Sequence, residues 1–325
     1  MQKDGGVYIT GDESTIKAGR RKLNIKCSAK SQDTGVVVVG GGSGGLGAIE
    51  GLRAGGYSGK ITVISSEPHQ PIDRTKLSKA LITDLSKIAW RSPEFFKEGD
   101  VEFMTGQSVK SVDFKSKKVT SDDGKSYSYS KLILASGGTA KFLPMDGLKG
   151  DLGNVFVIRS LANAQDIMKA AGENGGKKIV VIGSSFIGME VGNALAGMKH
   201  DVTIVGMEEE PMQAVMGKKI GNIFRKLLEK NGAKFKLSAS VEKGTPSSSD
   251  KSKIGAVQLK DGTSLDADLV IEGVGIRPST DYLQDNSAVS CVAAENPHPG
   301  TGILTGFPFE GVAQAPTLKR NYPIS

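Results

Sequence analysis

Two glycine-rich turns are the most informative motifs of this chain. The first lies in VVVVGGGSGGLGAIE at positions 36–50, where Gly40, Gly42 and Gly45 have G-x-G-x-x-G spacing and Ser43 stands between the last two. An apolar strand precedes the glycines, and a helix of small residues follows them. In such a unit the glycines let the backbone approach a pyrophosphate, which binds at the helix N-terminus. The turn therefore predicts a dinucleotide site rather than an ordinary tight turn.

A second turn of the same kind follows about 140 residues later, in KKIVVIGSSFIGMEV at positions 177–191. Gly183, Ser185 and Gly188 occupy the same register, with serine at the middle position. Serine is small, but it narrows the room for a pyrophosphate. We predict a second dinucleotide here because the turn again joins an apolar strand to a helix.

An acidic residue follows the next strand of each unit. Glu67 comes shortly after ITVI, and Glu208 follows TIVGM. In such units this carboxylate accepts hydrogen bonds from the adenosine ribose. It also repels a 2′-phosphate, so Glu208 predicts NAD rather than NADP in the second site. Two such sites predict two dinucleotides held face to face, the arrangement in which a flavin receives hydride from a nicotinamide.

The composition leaves room for two folded domains. The chain has 325 residues, 38% of them hydrophobic, and no apolar run approaches the roughly 20 residues of a membrane span. Its two cysteines, Cys27 and Cys291, stand in unrelated contexts, which favours a reducing compartment over a disulfide framework. We expect a cytoplasmic location, with a mitochondrial one as the alternative.

The net charge of +7 does not by itself indicate a nucleic-acid-binding protein. Much of the excess lies in residues 1–32, where seven Lys/Arg face three Asp/Glu. We interpret this segment as a solvated basic tail, with an acidic protein or another polyanion as the alternative reading. We expect no nucleic acid partner.

Hydrophobic periodicity divides the chain into four parts. They are a basic N-terminal segment over 1–32, a first dinucleotide-binding domain over 33–150, a second over 151–280, and an irregular tail rich in Gly and Pro over 281–325. The predicted fold class is α/β, with two Rossmann-like dinucleotide-binding domains and a small antiparallel β-meander insertion.

The predicted elements follow the change of period along the chain. In the first domain they are strands over 36–39 and 60–64 and helices over 46–54, up to 80 and over 90–99. From Val101 to Leu134 the period is two, and the Asp123-Gly124 turn indicates a hairpin. We predict an antiparallel meander there, which returns to the parallel sheet at Lys131–Ala135. In the second domain we predict strands over 178–182, 201–205, 234–240, 254–259 and 269–271, helices over 187–196 and 217–231, and a polar loop over 245–252.

Five motifs occur in a characteristic order: VVVVGGGSGG, DRTKLSK, LILASGG, VIGSSFIGME and VIEGVGIRP. This order resembles the FAD/NAD(P)-dependent pyridine nucleotide-disulfide oxidoreductase-like flavoproteins, and within them the apoptosis-inducing-factor-like and ferredoxin-reductase-like branch. The resemblance covers roughly residues 33–287. It implies that the first domain binds FAD and the second binds NAD. Residues 6–30 also resemble the segment that joins an N-terminal Rieske iron–sulfur domain to this module, although the Rieske ligand motifs themselves are missing.

The resemblance implies roles for four residues around the flavin ring. Arg74 and Lys79 match a basic pair that contacts the flavin, and Glu190 matches an acid that pairs with that lysine. We expect Lys79 and Glu190 to be the catalytic residues, because a fixed cation stabilises the negative charge that a flavin gains on reduction. Phe186 matches a residue that lines the nicotinamide site.

Small residues at two strand ends match places where the family's backbone approaches a cofactor. Those at the flavin are Ala135, Ser136 and Gly137, and those at NAD are Gly273 and Gly275. Glu272 is expected near the nicotinamide ribose.

Several absences limit the chemistry. No Cys-x4-Cys follows the first turn, so a thiol relay is not expected. The three histidines, His69, His200 and His298, are too scattered for a metal site, and we expect none. The resemblance implies a second flavin motif, containing Ala-x-Gly-Asp, shortly after residue 290. This motif is not found there. We therefore expect a chain truncated at both ends, which lacks the aspartate that anchors the flavin and binds FAD weakly.

Two functions follow from these observations. The first is an FAD-dependent NADH oxidoreductase that passes hydride from NADH to flavin and then electrons to an iron–sulfur protein, a quinone or another acceptor. The second is an inactive or weakly flavin-binding remnant that acts as a nucleotide-binding interaction protein. The sequence predicts no oligomeric state.

Overall fold

Two parallel sheets carry the two glycine turns, one in each half of the chain. The computed structural model describes residues 2–3, 6–7, 25–27 and 34–283. The part around the sheet of residues 36–134 is the first unit, and the part around the sheet of residues 155–272 is the second unit. Near the N-terminus, β1 (Gln2–Lys3) and β2 (Gly6–Val7) form a short antiparallel pair.

The sheet of the first unit has four parallel strands in the order β5-β4-β3-β9. They are β3 (Val36–Val39), β4 (Ile61–Ile64), β5 (Val101–Met104) and β9 (Lys131–Leu134). Val36 and Val38 pack in one core with helix α1 (Ser43–Ala54), whereas Val37 and Val39 pack on the opposite face. A strand covered on both faces needs a continuous apolar run, which is why VVVV forms the centre of this sheet.

The opposite face of the sheet is covered by a three-stranded antiparallel sheet. Its strands are β6 (Val109–Asp113), β7 (Lys118–Ser121) and β8 (Ser126–Ser128). Val112 and Val119 pack there with Val37 and Val39. This confirms the predicted meander insertion. Two short helices, α2 (Thr75–Ala80) and α3 (Pro93–Glu98), complete the unit.

One strand of the predicted meander belongs elsewhere. Val101–Met104 pairs in parallel with β4, so that Val101 lies opposite Ile61. The prediction was wrong for this strand because it lies at the edge of the parallel sheet. An edge strand is half exposed, and it therefore alternates in the same way as a meander strand.

The sheet of the second unit has five parallel strands in the order β11-β18-β12-β13-β14. They are β11 (Val155–Val157), β12 (Lys178–Ile182), β13 (Asp201–Val205), β14 (Lys234–Lys236) and β18 (Leu269–Glu272). The helices are α4 (Leu161–Ala171), α5 (Phe186–Gly197), α6 (Gln213–Met216) and α7 (Lys218–Lys230). Within residues 34–283, β9 of the first unit pairs with β3 alone, whereas β11 lies beyond β18 in the second.

A second antiparallel sheet covers one face of the second unit. Its strands are β15 (Val241–Pro246), β16 (Ile254–Leu259) and β17 (Ser264–Asp266). Ile254–Leu259 was predicted to be one of the strands that close the dinucleotide unit, which was wrong, because it lies in this antiparallel sheet. The segment from Thr245 was predicted to be a polar loop, although β15 extends to Pro246. Strand β11 and helix α4 were not predicted at all.

The chain crosses between the two units twice, and the crossings lie side by side. On the way out it forms β10 (Gly138–Ala140), and on the way back β19 (Ile276–Pro278), and these two strands pair antiparallel. After β19 the 3-10 turn Asp281–Leu283 returns to the first unit. There Leu283 is buried in the same core as Val37 and Val39.

Two of the predicted domain boundaries can be compared with the packing of the described residues. Residues 281–283 were assigned to the irregular tail, but they pack on the first unit. Ile25 of the basic segment is buried in the core of the first unit. The remainder of the predicted tail and most of the basic segment lie outside the described residues.

Among the helices that the structure describes, none is both long enough and apolar enough to cross a bilayer.

Candidate dinucleotide sites

The first glycine turn follows β3 at the carboxyl edge of the sheet. Gly40 has a φ of 109°, and a Cβ there would overlap the carbonyl group of Ala135 at the end of β9. A Cβ at Gly45 would overlap the carbonyl oxygen of Gly40. Both positions therefore require glycine. Gly42 differs from them, because a Cβ there would meet no atom within 4 Å. This open position faces the space in front of the turn, beside Ser43 at the start of α1.

The second turn repeats this geometry. Gly183 has a φ of 107°, and a Cβ there would press on the carbonyl group of Gly273 at the end of β18. A Cβ at Gly188 would overlap the carbonyl oxygen of Gly183. Ser185 has nearly the same backbone angles as Gly42, with φ −90° and ψ −174° against −84° and −163°. Serine at the middle position is therefore unstrained.

Both helices that follow the turns begin without a cap. Neither α1 nor α5 has a side chain that accepts a hydrogen bond from its first turn, and neither has an acidic residue there. The N–H groups of a first turn have no partner inside the helix, and the helix dipole makes this end positive. Two bare N-termini behind two glycine turns are suited to bind the phosphates of two dinucleotides.

Beside each turn a serine contacts a glycine, and the two residue types have changed places between the two units. In the first unit a Cβ at Gly41 would collide with the side chain of Ser65, the residue after β4. In the second unit Ser184 occupies the position of Gly41, and the residue after β13 is Gly206, where a Cβ would collide with Ser184. Each unit thus holds one serine and one glycine in contact, but on opposite sides.

The two predicted ribose carboxylates occupy matching positions, each three residues after its strand. Glu67 accepts a hydrogen bond from Arg74 Nη1 at 3.1 Å through Oε1, and its Oε2 lies 3.2 Å from His69 Nε2. Glu208 accepts one from the backbone N–H of Ala214 at 3.2 Å. Both carboxylates are half-buried, and a carboxylate has about four acceptor sites. Each can therefore accept further hydrogen bonds from a ribose.

Arg159 is a charged residue of this region that the sequence analysis did not identify. Arg74 Nη1 donates to its backbone carbonyl at 2.7 Å, and Arg159 Nε donates to the carbonyl of Gly138 at 2.8 Å. Burial and then the positive charge of Arg74 lower the pKa of Arg159 below its usual value. The positive charges of Arg74 and Arg159 thus lie near each other where the units meet, with the carboxylate of Glu67 acting on Arg159 in the opposite direction. A bound anion would relieve their repulsion.

The predicted pair of Lys79 and Glu190 is not formed. Glu190, on α5, accepts a hydrogen bond from Ser78 Oγ at 2.5 Å. Lys79 is exposed, and it has no ion pair within the part of the chain that the structure describes. On α2 the preceding residue, Ser78, is the one that faces the second unit, and the roles of Lys79 and Glu190 at a bound flavin stay predictions. Phe186 is 45% exposed at the start of α5.

The strand ends that were expected to approach the cofactors lie beside the turns. Ala135 and Gly273 contact the glycines of the first and second turn, as described above. Ser136 lies 3.1 Å from Tyr282 through the two hydroxyl oxygens, and Gly137 and Gly275 have positive φ angles. The site roles of these residues stay predictions. No three His, Cys, Asp or Glu side chains of the described residues form a group that could hold a metal ion.

Glu272 ends β18 as a buried carboxyl group with 2% of its surface exposed. Its Oε2 accepts a hydrogen bond from the backbone N–H of Leu143 at 2.7 Å, whereas its Oε1 is buried without a partner among the described residues. Burial raises its pKa to about 7, although the bond from Leu143 acts in the opposite direction. A buried carboxyl group with a raised pKa therefore lies under the segment that connects the units.

Comparison with known proteins identifies the family of this chain. Residues 34–296 match the family model for pyridine nucleotide-disulphide oxidoreductases, and the chain belongs to this family. The family consists of FAD- and NAD(P)H-dependent oxidoreductases. This confirms the predicted family and fold class.

Three similar proteins illustrate the match. Apoptosis-inducing factor 3 of Homo sapiens is 34% identical, over 86% of this chain and 46% of its own length. Rubredoxin-NAD(+) reductase of Ectopseudomonas oleovorans is 32% identical, over 77% of this chain and 64% of its own length. The crystal structure of the covalent putidaredoxin reductase–putidaredoxin complex superposes with a TM-score of 0.72 at 27% identity, covering 78% of this chain and 61% of that one. The chain thus spans about half to two thirds of the length of these proteins.

Proposed function

We propose that this chain is the nucleotide-binding part of an FAD-dependent NADH oxidoreductase. In this proposal the first unit binds FAD and the second binds NADH. The observation that carries it is the repetition of one turn in two units that contact each other. Both turns have a middle residue with nearly the same unstrained backbone angles, a bare helix N-terminus behind it and a carboxylate three residues after the next strand.

The residues of the first unit fit FAD. The open space at Gly42 suits a pyrophosphate, and the uncapped N-terminus of α1 supplies N–H donors. Arg74 and Arg159 offer positive charge nearby, and Glu67 offers acceptors for a ribose. When bound, FAD accepts hydride from the nicotinamide and releases electrons one at a time to an acceptor.

The chain itself would bind, orient and stabilise charge. Lys79 would stabilise negative charge at the flavin, since its own charge has no carboxylate partner in the described part of the chain. Ser78 and Glu190 would hold the two units at a fixed distance, because their hydrogen bond joins α2 to α5. Phe186 would cover one side of the nicotinamide with its exposed ring.

The acceptor is proposed from the chemistry of the relatives. One relative is a rubredoxin-NAD(+) reductase, and one structural neighbour is bound to putidaredoxin. We therefore propose an iron–sulfur protein as the acceptor, with a quinone as the second choice. The compartment is proposed to be a reducing one, cytoplasmic or mitochondrial, because the chain has only two cysteines in unrelated contexts.

The two sites can be tested separately with one substitution in each. Gly42→Asp and Ser185→Asp each place a carboxylate in front of a turn, and neither needs an unusual backbone conformation. We expect G42D to weaken FAD binding by at least about tenfold and to leave NADH binding unchanged, and S185D to do the reverse. The measurements are titrations of each nucleotide. Gly47→Asp is the matched control, because a Cβ at Gly47 also meets no atom within 4 Å.

NADH oxidation distinguishes an oxidoreductase from an inactive nucleotide-binding remnant. The chain loaded with FAD should oxidise NADH in the presence of an artificial one-electron acceptor, and G42D should lose this activity to the extent that it loses FAD. A colourless protein that cannot be reconstituted with FAD would support the alternative of a nucleotide-binding interaction protein.

A further inference from the structure

Helix α7 carries an apolar stripe that the described part of the chain leaves about half exposed. Ile220, Ile223 and Leu227 lie on one face, at spacings of three and four residues, and are 40%, 54% and 56% exposed. The apolar residues on the adjoining side of the helix, Phe224 and Leu228, pack on the core of the second unit. The stripe is therefore additional to the face that folding buries.

The stripe continues onto the preceding helix. Val215 and Met216 of α6 are also exposed, so that five large apolar side chains lie within 13 residues of sequence. Exposed apolar residues that occur singly are ordinary, but a contiguous group marks a surface that contacts something. We call these five residues, Val215, Met216, Ile220, Ile223 and Leu227, the α6–α7 patch.

Unpaired lysines border the patch. Lys219, Lys226 and Lys230 form a second stripe on α7, at spacings of seven and four residues, and all three are exposed. Within the described residues they have no ion pair, whereas Lys218 pairs with Glu209 and Arg225 pairs with Glu210 and Glu229. The helix thus combines an apolar stripe with an adjacent positive stripe, and its other charges are neutralised by the protein.

The charges indicate the kind of partner. Two copies of this surface would bring lysines against lysines, so self-association through it is disfavoured. Protein interfaces favour aromatic residues, arginine and methionine and are depleted in lysine, whereas this surface has one methionine, no aromatic residue and three exposed lysines. The α6–α7 patch has only aliphatic side chains and methionine, beside lysine. This is the composition of a helix that lies in the surface of a bilayer.

We propose that the α6–α7 patch binds the surface of a bilayer containing anionic phospholipid, as a peripheral contact that lies on the membrane. The aliphatic side chains would enter the headgroup boundary, and Lys219, Lys226 and Lys230 would contact lipid phosphates. The inference goes beyond the proposed oxidoreductase function and does not depend on it.

The test is sedimentation of the full chain with vesicles at low ionic strength. We expect binding to mixed phosphatidylcholine–phosphatidylserine vesicles and little binding to phosphatidylcholine alone. The triple variant K219Q/K226Q/K230Q should bind the mixed vesicles more weakly by on the order of 100-fold. The variant I223Q/L227Q should bind them at least about tenfold more weakly.

The matched control is K115Q/K117Q/K118Q, which removes the same charge from exposed lysines around the turn between β6 and β7. It should bind vesicles as the unchanged chain does. Thermal unfolding followed by circular dichroism should be the same for all variants, since every substituted side chain is exposed. The proposal is overturned if the unchanged chain does not sediment with the mixed vesicles. It is also overturned if the control loses as much vesicle binding as K219Q/K226Q/K230Q, or if I223Q/L227Q loses no vesicle binding.

Discussion

Ser78 Oγ donates a hydrogen bond to Glu190 Oε2 at 2.5 Å, and this contact joins α2 of the first unit to α5 of the second. Ser78 is buried, although it belongs to a helix of only six residues. The contact leaves the next residue, Lys79, exposed beside the junction. Adjacent residues of one short helix thus have different tasks: one fixes the units together, and the other presents a charge.

Replacing Ser78 by alanine should weaken this junction. The side chain is nearly the same size, so the main effect is that a half-buried carboxyl group loses its donor. We expect the free energy of unfolding to fall by about 1–3 kcal/mol. Urea unfolding measures it, with Ser86→Ala as the control, because Ser86 donates to Asp84 on the surface and joins no two units. Equal losses in the two variants would contradict a special role for the junction.

Replacing Lys79 by alanine should slow the reduction of bound flavin by NADH more than it weakens NADH binding. The lysine charge is most effective when the flavin has gained electrons, so its loss is expected in the chemical step. We expect a decrease on the order of 10- to 100-fold, measured by stopped-flow absorbance of the flavin. Lys76→Ala is the control, since Lys76 lies on the same helix and donates to the carbonyl of Lys87. An unchanged rate would show that Lys79 is an ordinary surface charge.

Replacing Glu208 by alanine should reduce the preference for NADH over NADPH. The carboxylate lies three residues after β13, where it would accept from a ribose and repel a 2′-phosphate. We expect the ratio of the two dissociation constants to narrow by about tenfold or more. Titration with both nucleotides measures it. Glu173→Ala removes the same charge before β12, at the opposite edge of the sheet, and should leave the ratio unchanged.

Glu272 should make the folded state less stable as the pH rises. Burial raises its pKa from 4.5 to about 7, so between these values the folded chain binds a proton that the unfolded chain has lost. The stability from this group is complete below about pH 4.5 and is lost progressively up to about pH 7. The shift corresponds to about 3 kcal/mol.

The variant Glu272→Gln should lack this dependence, because glutamine resembles the protonated acid. We expect it to equal the unchanged chain near pH 4 and to exceed it at about pH 8 by up to about 3 kcal/mol in the free energy of unfolding. Urea unfolding at the two pH values decides the matter. Glu242→Gln, at an exposed position on β15, is the control and should show no such difference.

The elements predicted correctly are those whose conformation is determined by their own local sequence. The runs at Val36–Val39, Lys178–Ile182 and Asp201–Val205 form strands with the predicted bounds, because β-branched residues covered on both faces leave little choice. The glycine turns were predicted for the same local reason. Helix α4 was missed, although Ser160 and Asn163 form a capping box that could have indicated its start.

Contacts between the units could not be predicted from the sequence in the same way. Whether Ser78 or Lys79 faces Glu190 depends on the rotation of α2, which the packing against α5 decides. The position of Arg159 depends on how the connecting segment crosses to the second unit. Glu272 ends an apolar strand, and only the segment that covers it at Leu143 makes it a buried acid. These properties arise from chain segments that are distant in sequence.

The contact between a serine and a glycine beside each turn restricts which residues the two positions can hold together. Gly41 with Ser65 and Ser184 with Gly206 fill the same space from opposite sides, and serine at both positions would overlap. If the units arose by duplication, the exchange could not have passed through the double-serine form. Glycine at both positions avoids this overlap, so in such a history the residue allowed at one position would depend on the residue at the other.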